Sequence, residues 1–346
     1  MNYEPSTFNF QPLFFTSFHY FWSMKTVFLL ITLCITTALP AQLKQHYFTW
    51  DWQPCELSEA SFASNIKKTD SGYQRTDFFL ATHQAQMLGL YEDAGTEIKN
   101  GFFAFYYSNG MLEKTGAFKN NKREGNWLAY YRDGSLKDSA HYRDGQVTGT
   151  AFSWHQDGYI ADSVVHFPGG AALSVSWYDD GQPSAAGHLL NGALQGPWQY
   201  FHQNGNIAAK EVYDSGRLVS RTYFNEQGIA ERDTANKDRD PEFPGGEKAW
   251  EKFVQKNLQF PKGYQITNAN KVTILASALI DAEGNVTNPV IEIPFEKNFE
   301  ANVMAMIKKS PRWLPAISHN RKVKGKITLP LTFGNGESHY YFIFNF

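Results

Sequence analysis

A chain of 346 residues has room for two or three domains of ordinary size. Its hydrophobic fraction of 42% excludes a wholly disordered protein, and an aromatic fraction of 16%, with 28 Phe and 18 Tyr, favours strands. A net charge of −2 excludes a general attraction to nucleic acid, so none is expected as a partner.

Residues 1–41 read as an address. Met24 and Lys25 precede an apolar run over 27–39, and Pro40 and Ala41 then supply a small-residue cleavage site, the pattern of a secretory signal peptide. Residues 1–23 are then an upstream extension. The run is shorter than the about 20 apolar residues of a membrane span. An uncleaved inner-membrane anchor, lengthened by aromatics such as Phe14, Phe15 and Trp22, is the alternative. Either way the expected location is the periplasm or cell envelope. Cleavage after Ala41 leaves Cys55 alone, which excludes an internal disulfide and a thiolate set for zinc. Residues 42–86 form an N-terminal segment without legible chemistry, and a turn signal over 88–95 suggests a degenerate first repeat.

Residues 87–229 are repetitive. Gly110, Gly134, Gly158, Gly181, Gly205 and Gly228 recur every 23 or 24 residues, five of them in Asn-Gly or Asp-Gly pairs that suit tight hairpin turns. A second turn falls halfway through each unit, at Asn121, Gly145, Gly170, Gly192 and Gly216, so each unit is two short strands. Four residues before each first-turn glycine stands an aromatic: Tyr106, Tyr130, Trp154, Trp177, Phe201 or Phe224. Two residues after it comes Leu112, Leu136, Ile160, Pro183, Ile207 or Ala230, mostly apolar. Stacked on a meander, these columns form one apolar ladder, read as core. The best copy, with Gly125, Trp127, Tyr130, Tyr131 and Gly134, resembles the MORN-like repeat, which implies an elongated β-scaffold or binding surface. Ser174 and Arg221 depart from the tryptophan position of that pattern.

Chemistry in the repeats is sparse. Asp133, Asp157 and Asp180 occupy equivalent turns, which explains them without catalysis or calcium. His141, His155, His166, His188 and His202 lack metal-ligand spacing and read as surface residues. No nucleophile, metal set or phosphate loop is legible, so neither an enzyme nor a cofactor is expected.

Residues 230–241 have the polar composition of a linker. From 242 to 334 the pattern changes. Ala249, Trp250, Phe253, Val254 and Leu258 share a helical face, strands are expected over 272–280 and 286–293, a second helix over 299–309, and a third strand over 324–333. Phe260, Pro261, Gly284, Val286, Trp313 and Pro315 fall in the order of landmarks in the TonB C-terminal domain family, which this segment resembles. The fold class is therefore mainly β: an antiparallel meander of MORN-like repeats, then a small α+β domain with two helices on a three-stranded antiparallel sheet.

The TonB-like resemblance implies that an extended peptide of an outer-membrane transporter adds beside the sheet. The corresponding edge here carries Lys324, Lys326, Thr328, Leu329, Leu331 and Thr332. Over 242–333, thirteen Lys and Arg against eight Asp and Glu favour an acidic peptide. Residues 335–346 are an aromatic tail expected to add one more strand. Two functions follow: a non-enzymatic, TonB-like envelope module that engages a TonB-dependent transporter or other envelope protein, or a MORN-like repeat scaffold whose C-terminal domain is structural.

Overall fold

Turn chemistry lays down the architecture. The six first-turn glycines all take positive φ, between 77° and 92°, and the second turns use left-handed Asn121, Asp144, Asn191 and Ser215. Each chain reversal is thus local, and each strand pairs with its neighbour in sequence. The computed structural model describes residues 45–266 and 271–334, together with the backbone of 338–340. The signal segment expected over 1–41, the loop over 267–270 and the aromatics over 341–346 lie outside the described residues.

Fifteen strands form one antiparallel sheet in strict chain order. They are β1 (His46–Phe48), β2 (Phe62–Thr69), β3 (Gly72–Phe79), β4 (Ala85–Tyr91), β5 (Lys99–Tyr106), β6 (Leu112–Lys119), β7 (Lys122–Tyr130) and β8 (Leu136–Arg143). Then follow β9 (Gln146–Trp154), β10 (Ile160–His166), β11 (Ala171–Trp177), β12 (Pro183–Leu190), β13 (Ala193–Phe201), β14 (Ile207–Asp214) and β15 (Arg217–Tyr223). The sheet therefore begins well before residue 87. Residues 42–86, illegible as repeats, supply three complete strands and the start of a fourth.

The two faces differ in a way the repeat columns do not reveal. On the outer face Tyr106 pairs with Leu112, Tyr130 with Leu136, Trp154 with Ile160 and Phe201 with Ile207, so the expected ladder exists. Its aromatics are only half-buried, however, and the buried core lies on the opposite, inner face. There Phe103 and Trp127 centre one aromatic cluster and Trp198, Tyr200 and Tyr223 another. The physical reason is coverage: a second layer packs on the inner face.

That layer is the α+β domain. Helix α1 (Gly246–Asn257) and helix α2 (Lys297–Lys308) pack on β16 (Lys271–Ile280), β17 (Val286–Ile293) and a longer strand, Gly325–Gly334. Between α2 and that strand comes an unexpected hairpin, β18 (Ala316–Ser318) and β19 (Arg321–Val323), which makes Gly325–Gly334 β20. Strand β21 (Ser338–Tyr340) pairs with β20 at Leu331–Phe333, as expected of the tail, and the sheet order is β17-β16-β20-β21. Helix α2 starts on Glu296, whose carboxylate accepts from the amides of Asn298 and Phe299. Trp250 and Val254 of α1 and Phe299, Val303, Met306 and Ile307 of α2 fill the core against Ile274, Leu329 and Phe333.

Residues 230–241 are not a free linker. Arg239 bridges to Ile317 and Glu242 to Leu314, and the Asp238 carboxylate accepts from the amide of His319 at 2.8 Å. Its polar groups are used at both ends: the Glu231 amide donates to the Tyr223 carbonyl of β15 at 2.8 Å, and Arg239 and Asp238 hold the β18–β19 hairpin.

Candidate binding surface

The inner face is built from two repeating devices. In the first, the residue three before each of the first five first-turn glycines reaches across to the next unit. Tyr107 Oη donates to the carbonyl of Tyr130 at 2.7 Å, Tyr131 to Trp154 at 2.6 Å and Tyr178 to Phe201 at 2.6 Å. His155 and His202 place Nε2 3.0 and 2.9 Å from the carbonyls of Trp177 and Phe224. These two histidines are therefore not scattered surface residues. A phenol and an Nε2–H imidazole carry a donor at similar reach, so they fill one role under different letters. Burial pushes the Tyr107 hydroxyl up to about 12, which keeps it a donor at neutral pH.

In the second device a tryptophan lies over a mid-strand glycine of the preceding strand. A Cβ on Gly116 would overlap the Trp127 indole, and one on Gly187 would overlap that of Trp198. Each indole N–H donates to a carbonyl beside its glycine: Trp127 to Ala117 at 3.0 Å and Trp198 to His188 at 2.9 Å. Residues 123–144 and 194–215 match the family model described as the MORN repeat variant. No curated protein matches the chain. Both matched MORN stretches contain such a tryptophan, and the repeats between them lack one.

Between the two tryptophan clusters the inner face is hollow. One transverse row runs through Lys114, Ala129, Asp138, Ser153 and Asp162 to Ser176, where the flanking stretches carry Met87, Phe105, Tyr200 and Tyr223. A cavity of about 410 Å³ opens there, with Trp127, Tyr142 and Val164 on its walls and Asp138 and Asp162 facing each other across Ser153. Ser153 Oγ donates to Asp162 at 2.8 Å. Burial raises the Asp138 pKa; Lys137 pulls against it, and the Asp162 carboxylate adds a smaller upward push.

At the C-terminal end of the same face the α+β domain is seated through buried charge. Glu211, with no exposed side-chain surface, accepts from Arg221 Nε at 2.9 Å, from Tyr213 and from His319 Nδ1 at 2.8 Å. Burial opposes its ionisation, but hydrogen bonds from His319 and Tyr213 and the Arg221 charge outweigh it and lower the pKa. The His319 ring stacks on Tyr200 with centroids 3.6 Å apart, and the Arg321 guanidinium lies 5.2 Å from the same ring. Arg321, 8% exposed, also donates to the Ser184 carbonyl at 2.6 Å. His319 and Asn320 both have positive φ at the tip of the β18–β19 hairpin, which aims the pair into the sheet.

Other contacts hold the domain farther along. Arg132 pairs with Glu292, which also takes Lys326 at 2.9 Å and Ser277 at 2.7 Å. Burial would raise the Glu292 pKa, but Lys326, the Ser277 hydroxyl and Arg132 together hold it at about 2. At the N-terminal end Phe62 and Phe79 pack on Ile293 and Leu275.

The sequence-derived edge residues are largely engaged within the chain. Lys324, just before β20, pairs with Asp179 at 2.6 Å, Lys326 with Glu292, and Thr332 shares a 2.8 Å hydroxyl contact with Thr273. Thr328, Leu329 and Leu331 are buried. Strand β20 pairs with β16 along its whole length and with β21 only at its end, so among the described residues the outer backbone edge over 325–330 has no strand partner. Of the six motif positions singled out in the C-terminal segment, Trp313 is buried with its amide bonded to the Gly284 carbonyl at 2.8 Å. A Cβ on Gly284, at φ 88°, would overlap the Trp313 carbonyl. Phe260 packs edge-on to Phe299, Pro261 is buried, and Val286 and Pro315 are half-buried. All six set shape.

Asp133, Asp157 and Asp180 each accept from the amide two residues on, at 2.9, 3.2 and 2.9 Å, as their turn role requires. Among the described residues no group of three or more His, Cys, Asp or Glu is placed to hold a metal ion, and no helix is long and apolar enough to cross a membrane.

Proposed function

We propose that this chain is a non-enzymatic repeat scaffold of the cell envelope whose inner β-face binds protein. The observation that carries the reading is intramolecular: that face already seats a folded α+β domain through Glu211, His319, Arg321 and Tyr200. The MORN-type repeats match a scaffold role, and the signal-like segment over 1–41 supports export. The C-terminal domain serves as one half of the scaffold's own architecture.

A second reading rests on the unpaired outer edge over 325–330. It keeps the resemblance to the TonB C-terminal domain family and has that edge take an extended segment of an outer-membrane transporter or another envelope protein by strand addition. Site-specific photo-cross-linking in the full chain, in its native cells, separates the two. Adducts from Val147, on the inner face of the meander opposite Tyr142, support the scaffold, adducts from Lys326 support strand addition, and a lack of adducts from either position overturns both.

A further inference from the structure

We propose that the inner-face hollow between β7 and β10 is a recognition site for an arginine side chain presented by a partner protein, an inference that rests on the scaffold reading. Repeat register is the first argument. Shifted back by two repeats, the seat of the β18–β19 hairpin falls on the hollow: Tyr178 becomes Tyr131, Tyr200 becomes Ser153, and Ala185 and Ala209 become Asp138 and Asp162. At the hairpin seat the chain's own Arg321 lies against Tyr200 and is more than nine-tenths buried. The same fold position therefore holds a guanidinium once already.

Residue replacement explains why the equivalent position is open and acidic. Ser153 in place of Tyr200 removes an aromatic ring, which leaves a cavity of about 410 Å³. Asp138 and Asp162 in place of two alanines supply paired acceptors across one strand, a geometry suited to the planar fork of a guanidinium.

Charge is the second argument. Among the described residues the only cation within ion-pair reach of either carboxylate is Lys137, 3.9 Å from Asp138 and itself half exposed. The two basic residues on the rim are committed elsewhere. Arg123 lies 4.8 Å from the Trp127 ring and donates to Tyr142 Oη at 2.9 Å, while Lys114 lies over Phe105 and near Glu113. The Asp138 carboxyl, pushed upward by burial and by Asp162, gains from a cation placed between them.

The test uses the full chain and three small probes: N-acetyl-arginine amide, the lysine analogue and the uncharged isostere N-acetyl-citrulline amide. Saturation-transfer NMR and calorimetry are expected to show saturable binding of the arginine probe, at least tenfold weaker binding of the lysine probe, and none of citrulline. Asp138→Asn/Asp162→Asn is expected to weaken arginine binding at least tenfold. Ser153→Tyr, which restores the ring of the hairpin seat, is expected to abolish it, and circular dichroism on both variants checks that they fold. Equal binding of citrulline or lysine, or unchanged binding by both folded variants, overturns the proposal. So does an absence of arginine binding while the Val147 cross-link persists, and that outcome leaves the scaffold reading standing. Loss of the cross-link alone removes the scaffold reading instead.

Discussion

His319 Nδ1 lies 2.8 Å from Oε2 of Glu211, a carboxylate with no exposed side-chain surface, although 108 residues separate the two in sequence. Glu211 also carries Arg221 at 2.9 Å, so it joins the last strands of the meander to the domain that covers them. Removing it strands a guanidinium that is itself 11% exposed. Glu211→Ala is expected to destabilise the chain by about 3–5 kcal/mol, the usual penalty for breaking a buried ion pair. Urea unfolding followed by tryptophan fluorescence measures it; a loss below about 1 kcal/mol would match a surface pair instead.

Acid should loosen the domain from the sheet. Glu292 titrates at about 2 in the folded chain against an ordinary value of 4.5, and the Glu211 pKa is lowered as well. Groups with depressed folded values stabilise fully above the unfolded pKa and lose that contribution as pH falls through the folded one. For Glu292 the window runs downward from pH 4.5 toward 2, and the shift corresponds to about 3 kcal/mol. Thermal melts across that range should fall steeply for the native chain and more gently for Glu292→Gln. Parallel curves would show that Glu292 does not report docking.

Gly187 gives a packing prediction. Its missing Cβ is the space occupied by the Trp198 indole, so Gly187→Ala forces the ring outward and is expected to cost about 1–3 kcal/mol. Combining it with Trp198→Leu should recover part of that loss, because the two changes act on one contact. Strict additivity in a double-mutant cycle would exclude the overlap as the cause.

The tyrosine bridges predict a modest, local effect. Tyr131→Phe removes the 2.6 Å bond to the Trp154 carbonyl while leaving the ring, and about 1 kcal/mol should be lost. His155→Phe should behave alike, since its Nε2 meets the Trp177 carbonyl in the next unit. Amide hydrogen exchange should quicken around β9 in the first variant and β11 in the second. Uniform change throughout the sheet would contradict a bridge between adjacent units.

Turns were the legible part of this fold, because Asn-Gly and Asp-Gly pairs constrain backbone angles directly. Helices α1 and α2 and strands β16, β17 and β20 were likewise visible through periodicity. What sequence could not reveal is which face of the meander is covered. Both faces carry aromatics, and Trp127 and Trp198 are buried among meander neighbours such as Phe118, Tyr142, Tyr200 and Tyr213, while Trp154 and Trp177 stay half-buried. Nor did spacing mark Glu211 or His319, because a buried charge and its partner need proximity in space and leave no local period. The start of the sheet over 46–79 was also hidden: β1 to β3 lack the Asn-Gly and Asp-Gly turns that announce later units.

The α+β domain grips the meander at Phe62 and Phe79 near one end and at Glu211 and Tyr200 near the other. One added hairpin between those grips would move them apart by about 9.6 Å. Repeat proteins commonly change length by gaining or losing copies, but here the second layer acts as a gauge with a fixed span. Copy number in this chain is thereby tied to the size of its own C-terminal domain, and a lengthened sheet would have to release one grip.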